Sequence, residues 1–579
     1  MSENAYWNRV ADRRLARRKF LAAAAVTGTG LVGLALMGCG DDDEKGSGAA
    51  GAASPTASTG GETPKKGGEV VHNTGRPSSQ SLDPHTTLNR GFSYWGFIGS
   101  KMLSPHPKTL EPLQADLVEF WEQVDPLTLN LKVRQNVKWH ASKITKGRAL
   151  TAADIAYNLE RIVGKYDANR VGQFQRAGTL VGLQSAMAID DRTVQVKLST
   201  PNSQFLYGMS DWRNWVVAKE NVEADPNFAN FGEAAGTGPF VISKWDPTQQ
   251  IGEYTPNPDY YGKGPYLERI RQVSIPDDAA SDSAFLSGKT HFISAQSEVA
   301  RTTYKQDGVK FASWEHTGWE YFRMNQARDV FKDPRVRKAL FLALDYQELM
   351  DSNYGEGYWD YTGPLPSGLP GAWSSSEVAS MPGWNPKTKK DDIARAKEFM
   401  RQATGGDGEI EFAITPTPGA GPWYNNAVRI QAQLQKLWPK MKVNIVGDQD
   451  FAGFSRNLAT GQYDAVTYGS FPPPSAVLEA GLHYDSKGSR NYTKYLNAEA
   501  DRLVAKAVGE FDATSRSKLV RDLQKLLMDD IFIVPLGKRK GVAAYSSKIK
   551  GFDGWSGPGT YEAYDPVFSC AGQWFDPKA

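Results

Sequence analysis

The chain has 579 residues, with 67 Lys plus Arg against 65 Asp plus Glu, so its formal net charge is only +2. Residues 1–38 hold six of the basic and two of the acidic residues, which leaves a slightly acidic remainder with a net charge of −2. This balance disfavours a nucleic-acid-binding protein, because phosphate neutralisation needs a clustered excess of Lys and Arg. Two Cys in the whole chain exclude a disulfide scaffold and a Cys-based metal cluster. The length predicts about three to four domain-sized units.

The N-terminus has the parts of an export signal. Arg17 and Arg18 precede an apolar stretch over residues 20–37, and residues 36–39 read Leu-Met-Gly-Cys. A basic region, a modest apolar region and a small residue before the cleavage point are typical of a signal peptide. The paired arginines resemble a twin-arginine (Tat) signal, and Leu-x-Gly-Cys resembles a bacterial lipobox, in which Cys39 receives the lipid. We predict a lipoprotein signal peptide over residues 1–38, with a single transmembrane anchor as the alternative.

Residues 39–66 are predicted to be a disordered linker after the lipidated Cys39. They consist mainly of Gly, Ala, Ser, Thr and Pro behind a short acidic run, with no apolar periodicity. A flexible chain of this length reaches about 26–31 Å. The sequence therefore predicts an extracytoplasmic body anchored to the cell membrane, in the periplasm or on the outer face of the cytoplasmic membrane.

The body alternates strand and helix patterns. Apolar residues in alternation predict strands near residues 129–133 and 194–198. Helix starts are predicted at Thr151, with Asp154 near the positive helix end, and at Asp333-Pro334. Further elements are predicted as strand 409–415, helix 425–438, strand 442–446, a short helix near 451–458, strand 464–468, a helical region over 498–528 and a buried strand at 531–534. This order predicts an α/β fold with a mostly parallel sheet covered by helices.

Motifs for catalysis or metal binding are largely missing. The seven His have no His-x-x-x-His spacing and are expected at the surface or at helix caps. Residues 287–290, Ser-Gly-Lys-Thr, lack the earlier glycine that a phosphate loop requires, and no Gly-x-Ser-x-Gly elbow is present. Cys570 is expected to be a buried, small apolar residue. We predict a protein that is not an enzyme, with no catalytic residue, no metal and no cofactor.

Aromatic residues are abundant, with 16 Trp, 24 Tyr and 25 Phe. Many fall in predicted loops after strands, where α/β folds bind ligands, and aromatic faces offer rigid contact area to peptides or sugar rings. Core packing is the alternative for each of them. By loop position and residue type, the candidate ligand-binding residues are Thr86, Tyr94, Trp95, Trp319, Tyr321, Trp423, Tyr424, Tyr468 and Phe471.

Seven segments in order carry a family resemblance from residue 67 to the end. The most specific is Met-Asn-Gln at 324–326 followed by Phe-Lys-Asp-Pro-Arg-Val-Arg-Lys-Ala-Leu at 331–340. The others are 81–85, 129–140, 150–155, 236–240, 257–265 and 285–289. Together they resemble the family 5 extracellular solute-binding proteins of bacterial ABC importers, the oligopeptide- and dipeptide-binding group.

This resemblance implies a bilobal, periplasmic-binding-protein-like α/β fold of type II, with the ligand enclosed between the lobes. The first lobe is expected at 67–315 plus 530–579, with an extra subdomain at about 94–230, and the second at 316–529. Hinge closure around a solute would present the closed, monomeric protein to an ABC permease and its ATPase.

The ligand is the open part of this prediction. Peptide-binding members often carry an acidic residue after the strand that corresponds to 464–469, whereas this sequence has no acid before Glu479. The loop at 416–426 is also uncharged. We predict an ABC importer component that binds a peptide, with longer peptides held through their backbone. An oligosaccharide-binding importer component is the alternative, and an exported hydrolase is a distant one.

Overall fold

The computed structural model describes residues 63–75, 81–86, 91–106, 110–167, 173–174, 176–314, 318–419, 421–447, 450–552 and 570–579. Residues 64–579 form one unit. The predicted export signal with Arg17 and Arg18, the lipidation site Cys39 and most of the predicted linker lie outside the described residues. Within those residues, no helix combines the length and apolarity needed to cross a membrane.

The strands are, in chain order, β1 (Glu69–Asn73), β2 (Leu103–His106), β3 (Leu110–Ala115), β4 (Val118–Asp125), β5 (Thr128–Val133), β6 (Leu183–Asp190), β7 (Thr193–Leu198), β8 (Phe240–Asp246), β9 (Ile251–Pro256), β10 (Arg269–Val273), β11 (Phe292–Ser294), β12 (Val309–Trp314), β13 (Trp319–Met324), β14 (Trp359–Asp360), β15 (Glu411–Pro416), β16 (Lys442–Ile445), β17 (Ala465–Ser470), β18 (Ile533–Arg539), β19 (Gly541–Ser546), β20 (Ile549–Lys550) and β21 (Trp574–Phe575).

The helices are α1 (Gly91–Ile98), α2 (Ala152–Ile162), α3 (Phe205–Met209), α4 (Lys219–Ala224), α5 (Asp278–Leu286), α6 (Glu298–Thr303), α7 (Asp329–Lys332), α8 (Pro334–Ala343), α9 (Tyr346–Tyr354), α10 (Ser375–Ala379), α11 (Lys389–Thr404), α12 (Pro422–Leu437), α13 (Phe451–Thr460), α14 (Ala476–His483), α15 (Ala498–Gly509) and α16 (Ala513–Asp530).

Two lobes form around different sheets. We call first lobe the body built on the sheets β1-β10-β9-β8, β11-β19-β12 and β4-β5-β7-β6, and second lobe the body built on β14-β18-β13-β17-β15-β16. The second lobe's sheet is mixed, because only the pairs β15–β16 and β15–β17 are parallel. The expectation of a mostly parallel sheet is therefore wrong. Strands β13 and β18 run antiparallel to each other, since they belong to chain segments that pass between the lobes in opposite directions, and each is also antiparallel to its other neighbour.

The predicted helix starts are confirmed where a side chain caps the first turn. Asp333 precedes Pro334 and its carboxylate accepts from the backbone N–H of Arg335 at 2.8 Å. At α2, the Asp154 carboxylate accepts from the backbone N–H of Thr151 at 2.9 Å, which closes a capping box. Both arrangements satisfy N–H groups that a helix end leaves without an intrahelical partner. The alternation predicted from residue 409 onward is also confirmed, with shifts of a few residues at the element ends.

The chain crosses between the lobes at two adjacent places. Strand β12 pairs with β19 up to Trp314↔Gly541, and β13 pairs with β18 from Trp319↔Lys538. The two segments thus run side by side on both sides of the crossing. Strand β18, at residues that the sequence assigns to the first lobe, pairs within the second lobe's sheet. The remaining domain boundaries stay predictions.

Four histidines are buried, so their expected surface or capping position is wrong. His72, His85, His140 and His483 are each less than 9% exposed. Burial lowers the pKa of His72 to about 3 and the pKa of each of the other three to about 4. The His85 ring shows how a neutral imidazole fits, because Nε2 donates to the Trp215 carbonyl at 2.8 Å while Nδ1 accepts from Arg161 at 2.7 Å.

We expect the protein to lose stability in mild acid. An imidazole in the unfolded chain has a pKa of about 6.5, so unfolding below that pH takes up protons that the buried, neutral rings exclude. The stabilisation is complete above about pH 6.5 and is lost as the pH falls from about 6.5 towards 4. Urea unfolding midpoints measured between about pH 7.5 and 5 should therefore fall steeply.

The matched variant is His72→Phe. His72 stacks on Phe292 with ring centroids 5.0 Å apart, and its Nε2 has no hydrogen-bond partner among the described residues. A Phe ring keeps the packing and cannot be protonated, so this variant should lose less stability in acid than the parent. If the urea midpoint of the parent protein stays level from about pH 7 to 5, the assignment of neutral buried histidines is wrong.

Candidate functional site

A cavity of about 200 Å³ lies where residues of the two lobes meet. The first lobe contributes Phe174 and Arg213 to its wall. The second lobe contributes the end of β17 and the chain after it, part of β13, one side of α13, and the segment that follows α14. The lining residues are Phe174, Arg213, Tyr321, Ser455, Leu458, Ala459, Tyr468, Gly469, Ser470, Phe471, His483, Ser489, Arg490 and Tyr492.

The aromatic wall follows from the pairing of β13 with β17. These strands are antiparallel, with Tyr321 opposite Tyr468 and Trp319 opposite Ser470. Cross-strand partners share one face of a sheet, and the Tyr321 and Tyr468 rings meet edge to face with centroids 6.1 Å apart. Phe471 comes directly after β17 and meets Trp212 of the first lobe edge to face at 6.4 Å. The sheet therefore presents apolar ring surface to the cavity.

A buried carboxylate organises the polar side of the site. Glu479 of α14 is fully buried, and its Oε1 accepts from Trp319 Nε1 at 3.1 Å and from Ser470 Oγ at 2.9 Å. Burial alone would raise the pKa of Glu479, but His483, the charge of Arg490 and the Trp319 N–H hold that pKa well below its usual range. Glu479 is therefore an anion at neutral pH, and its hydrogen bonds fix the ends of β13 and β17 relative to α14.

Arg323 holds both the neighbouring imidazole of His483 and the backbone of Arg490. Arg323 donates to His483 Nδ1 at 2.7 Å, and a guanidinium can only donate, so the neutral imidazole carries its proton on Nε2. That nitrogen faces Glu479 Oε1 at 3.3 Å. Arg323 also donates to the Arg490 carbonyl at 3.1 Å, and Arg490 Nη1 donates to Ser470 Oγ at 3.2 Å. The Arg490 guanidinium is thus held at the cavity wall through its backbone and its side chain.

The first lobe brings its own buried charges to the opposite wall. Arg176 forms an ion pair with Asp211, with 3.1 Å between Nε and Oδ1, and both side chains are at most 1% exposed. Arg213 lies over the Trp212 ring with its guanidinium carbon 3.9 Å from the centroid. Burial, followed by the charges of Arg176 and Arg490, lowers the pKa of Arg213. Like charges from both lobes therefore meet at this cavity.

Direct contacts join the lobes around the cavity. Arg176 Nη2 donates to the Phe471 carbonyl at 3.3 Å, and Ser475 Oγ donates to Gln204 Oε1 at 2.7 Å. The backbone N–H of Ser203 donates to the Val508 carbonyl at 2.8 Å. The structure is therefore a closed arrangement of the lobes, in which the cavity is enclosed from both sides.

The candidate residues separate into cavity and core. Tyr321, Tyr468 and Phe471 line the cavity. Tyr94 and Trp95 lie in helix α1 rather than in a loop and pack in the core of the first lobe. Trp95 is fully buried and its Nε1 donates to the Leu82 carbonyl at 3.0 Å. The predicted loop position is wrong for these two residues, for Trp319 and Tyr321, which lie in β13, and for Trp423 and Tyr424, which lie in α12. Aromatic residues of a helix turn, a strand end and a loop look alike in sequence.

The other four candidates do not line the cavity. Trp319 is 1% exposed and acts through its hydrogen bond to Glu479. Trp423, in the first turn of α12, packs near Tyr468 with ring centroids 6.0 Å apart. Tyr424 is 45% exposed. Thr86 donates to Asp83 Oδ2 at 3.2 Å in the first lobe. A ligand-binding role for these four residues stays a prediction.

Residue typing by aromaticity missed the charged and polar part of the wall. Arg213, His483, Arg490 and Tyr492 line the cavity although none was a candidate. One sequence signal was available, since Arg213 stands in the run Asp-Trp-Arg-Asn-Trp, where an arginine is placed between tryptophans. For Arg490 the local sequence offers no comparable signal.

Most of the chain matches a known protein family. Residues 112–489 match the profile described as bacterial extracellular solute-binding proteins, family 5, middle. This match covers more than half of the chain. The protein belongs to family 5 of the bacterial extracellular solute-binding proteins. Members of this family are extracytoplasmic binding proteins rather than enzymes.

Curated relatives match over most of their length. The chain is 24% identical over 492 residues to the probable D,D-dipeptide-binding periplasmic protein DdpA of Escherichia coli, which covers 82% of this chain and 89% of the relative. It is 26% identical over 497 residues to the oligopeptide-binding protein AppA of Bacillus subtilis, covering 81% and 85%.

Solved structures show the same bilobal fold. The periplasmic binding protein DppA of Helicobacter pylori, in complex with the peptide STSA, superposes with a TM-score of 0.72 at 20% identity, covering 88% of this chain and 98% of that one. AppA of Bacillus subtilis, in complex with a nonapeptide, superposes with a TM-score of 0.72 at 21% identity, covering 89% and 100%. The predicted fold class and family are confirmed.

We expect Trp95→Ala to destabilise the protein, because it opens a cavity in the first lobe's core and leaves the Leu82 carbonyl without its partner. The loss in free energy of unfolding should be about 3–5 kcal/mol, as for other buried Trp or Phe truncations. Chemical denaturation monitored by circular dichroism measures it.

Tyr424→Ala is the matched control, since its side chain is 45% exposed and the change should stay within about 0.5 kcal/mol. A Trp95→Ala protein as stable as the Tyr424→Ala protein would show that Trp95 is not a core residue.

Proposed function

We propose that this solute-binding protein is the substrate-binding component of an ABC importer, which captures a peptide between its lobes and delivers it to a membrane permease. The observation that supports this best is the cavity, whose wall is completed only when residues of both lobes come together. A solute held there contacts both lobes at once, so binding favours the closed state over an open one by hinge motion. A permease and its ATPase that recognise the closed monomer would then receive loaded protein selectively.

Peptides suit the wall of this cavity. Tyr321, Tyr468, Phe471 and Tyr492 offer apolar ring surface for side chains, while Ser470 and Arg490 offer polar groups. Several relatives are described as dipeptide- or oligopeptide-binding proteins. A volume of about 200 Å³ is below the roughly 300–1,000 Å³ of pockets for drug-sized ligands. We therefore assign the cavity to a short peptide or to one end of a longer peptide.

The oligosaccharide alternative is less well supported. Stacking of a sugar ring on tyrosine would use the aromatic wall, but a neutral sugar offers no opposite charge to the arginines that line the cavity. Buried charges are stabilised by opposite charges and hydrogen bonds, and a buried charge is unfavourable when the group that faces it is neutral. The sequence had suggested an uncharged cleft from two loops alone, and Arg213 and Arg490 come from other segments.

We further propose that the protein is exported through its twin-arginine signal and anchored by a lipid on Cys39. The sequence of residues 17–39 supports this proposal. A lipid anchor and a linker would keep the binding protein close to the membrane and so raise its effective concentration at the permease.

Peptides should raise the melting temperature of the protein produced from residue 64 onward. A ligand that binds only the folded state raises the free energy of unfolding by RT ln(1 + [L]/Kd). A pool at about 100 times Kd therefore adds about 2.7 kcal/mol to the free energy of unfolding. Thermal-shift measurements with pools of dipeptides to nonapeptides, and with oligosaccharides in parallel, test this. A shift with the sugars and with no peptide pool would refute peptide capture.

Phe471→Ala should weaken peptide binding about tenfold, since it removes ring surface from the cavity wall. Phe311→Ala is the matched control, because Phe311 is a 39% exposed aromatic residue on β12 of the first lobe. Isothermal titration calorimetry compares the two variants, and equal affinities would remove Phe471 from the binding site.

Lipidation at Cys39 has its own test. In cells fed a labelled fatty acid, the full-length protein should carry the label and sediment with membranes, and Cys39→Ser should lose both properties. Cys570→Ala is the control, since Cys570 is buried and is the only other Cys in the sequence. Label that persists in Cys39→Ser would exclude this anchor.

A further inference from the structure

The lobes also touch each other at a place outside the cavity. The hydroxyl of Ser475, which caps α14, donates to Gln204 Oε1 at 2.7 Å. Beside this contact, the backbone N–H of Ser203 donates to the Val508 carbonyl of α15 at 2.8 Å. Helices α14 and α15 pack on the second lobe's core, and none of these four residues lines the cavity. The closed lobes therefore have contacts that involve no bound solute.

The first-lobe side of this contact is held in place by its own hydrogen bonds. Ser203 and Gln204 follow β7, and Asn202 Oδ1 accepts from the backbone N–H of Gln204 at 2.8 Å. Asn202 Nδ2 donates to the Val181 carbonyl at 2.8 Å. Gln204 Nε2 donates to Ser203 Oγ at 2.9 Å, which leaves the amide oxygen of Gln204 to accept from Ser475. Because the segment is already ordered locally, docking it on the second lobe costs little conformational entropy.

The second-lobe side is connected directly to the cavity wall. Three consecutive buried prolines, residues 472–474, separate Ser475 from Phe471, which lines the cavity. Proline fixes φ near −65°, so this connection has few conformations. On its other side Ser475 caps α14, which carries Glu479 and His483 of the polar network. A displacement of Ser475 is therefore transmitted to the aromatic and to the polar part of the site.

We infer that Gln204 and Ser475 form a latch, which sets the equilibrium between open and closed lobes and so changes the affinity for every solute by the same factor. Their side chains belong to residues that are only 3% and 4% exposed in the closed form, where the hydrogen bond replaces the water that each group loses. The apparent Kd of a solute rises as the binding-competent fraction of the protein falls, so a residue that touches no solute can change it. Gln204 is thus a positioning residue. This inference rests on capture of a solute between the lobes, but not on that solute being a peptide.

Gln204→Met removes the acceptor and keeps a side chain of similar length. It should weaken the binding of every peptide by about fivefold, which corresponds to about 1 kcal/mol, in isothermal titration calorimetry with peptides of different composition. Gln431→Met is the matched control, because Gln431 donates to the Val443 carbonyl at 2.6 Å within the second lobe, and it should keep the parent affinities. Unchanged affinities in Gln204→Met, or losses that differ tenfold between peptides, would overturn the inference.

A double-mutant cycle separates the latch from local damage. Ser475→Ala removes the same hydrogen bond and also the cap of α14, so its own effect combines two causes. In the Ser475→Ala background, Gln204→Met should have no further effect on affinity, because the hydrogen bond between the lobes is already gone. A structural defect caused by Gln204→Met would instead add to the effect of Ser475→Ala. A fivefold loss in both backgrounds would show that the two residues do not act as a pair.

A measurement without ligand separates this inference from the proposed function. Residues joined by backbone hydrogen bonds have Cα atoms about 5.5 Å apart, which a disulfide can bridge. Ser203→Cys combined with Val508→Cys should therefore form a disulfide under mild oxidation whenever the lobes close. Adding Gln204→Met should slow this reaction about fivefold, whereas adding Gln431→Met should not change its rate.

The outcomes are distinguishable. If peptides bind and Gln204→Met keeps the parent affinities, the latch is wrong and peptide capture stands. If no peptide binds, peptide capture is wrong and the rate of disulfide formation decides the latch. A slower rate with Gln204→Met then supports it, and equal rates overturn it.

Discussion

The antiparallel pairing of residues 309–324 with residues 533–546 is the constraint on which the rest of the structure depends. Trp314 pairs with Gly541 in the first lobe's sheet and Trp319 pairs with Lys538 in the second lobe's sheet, so both chain segments change sheet at the same level. Gly541 is required there, because a Cβ atom on it would stand 2.1 Å from the Trp314 ring. Two adjacent strands that cross together allow rotation of one lobe against the other while their registers are kept.

The same strand pairing determines where the cavity lies. Strand β13 starts immediately after the crossing with Trp319, whose indole N–H holds Glu479, and β17 ends opposite it at Ser470. The groups that hold His483 and position Arg490 are therefore attached to the segment that passes between the lobes. Arg213 and Arg176 belong to the first lobe, and Arg176 reaches the Phe471 carbonyl of the second. A site built at this point is complete only in the closed arrangement, which is what a protein that reports occupancy through its shape requires.

Local sequence patterns predicted the fold better than they predicted the site. A cap followed by proline at Asp333-Pro334, or the alternation over residues 442–445, depends on neighbours within a few residues, and such patterns appear in sequence directly. Burial does not. Trp95 and Phe471 are both aromatic, yet one fills the core of the first lobe and the other lines the cavity. Arg213 and Arg490 meet only through tertiary structure, and the buried, neutral state of His483 depends on groups from β13 and α14 that are far apart along the chain.

The two kinds of cavity wall have different consequences for selectivity. Aromatic rings such as Tyr468 and Phe471 attract apolar groups with little dependence on their identity, since dispersion and burial are not directional. Polar groups held by hydrogen bonds discriminate more strongly, because a ligand that cannot hydrogen-bond to them leaves them desolvated. Under the proposed function, such a wall tolerates many side chains and positions the peptide through a few polar contacts. An importer component with these properties accepts a class of solutes, and its closure is coupled to the groups that those solutes share rather than to the parts that vary.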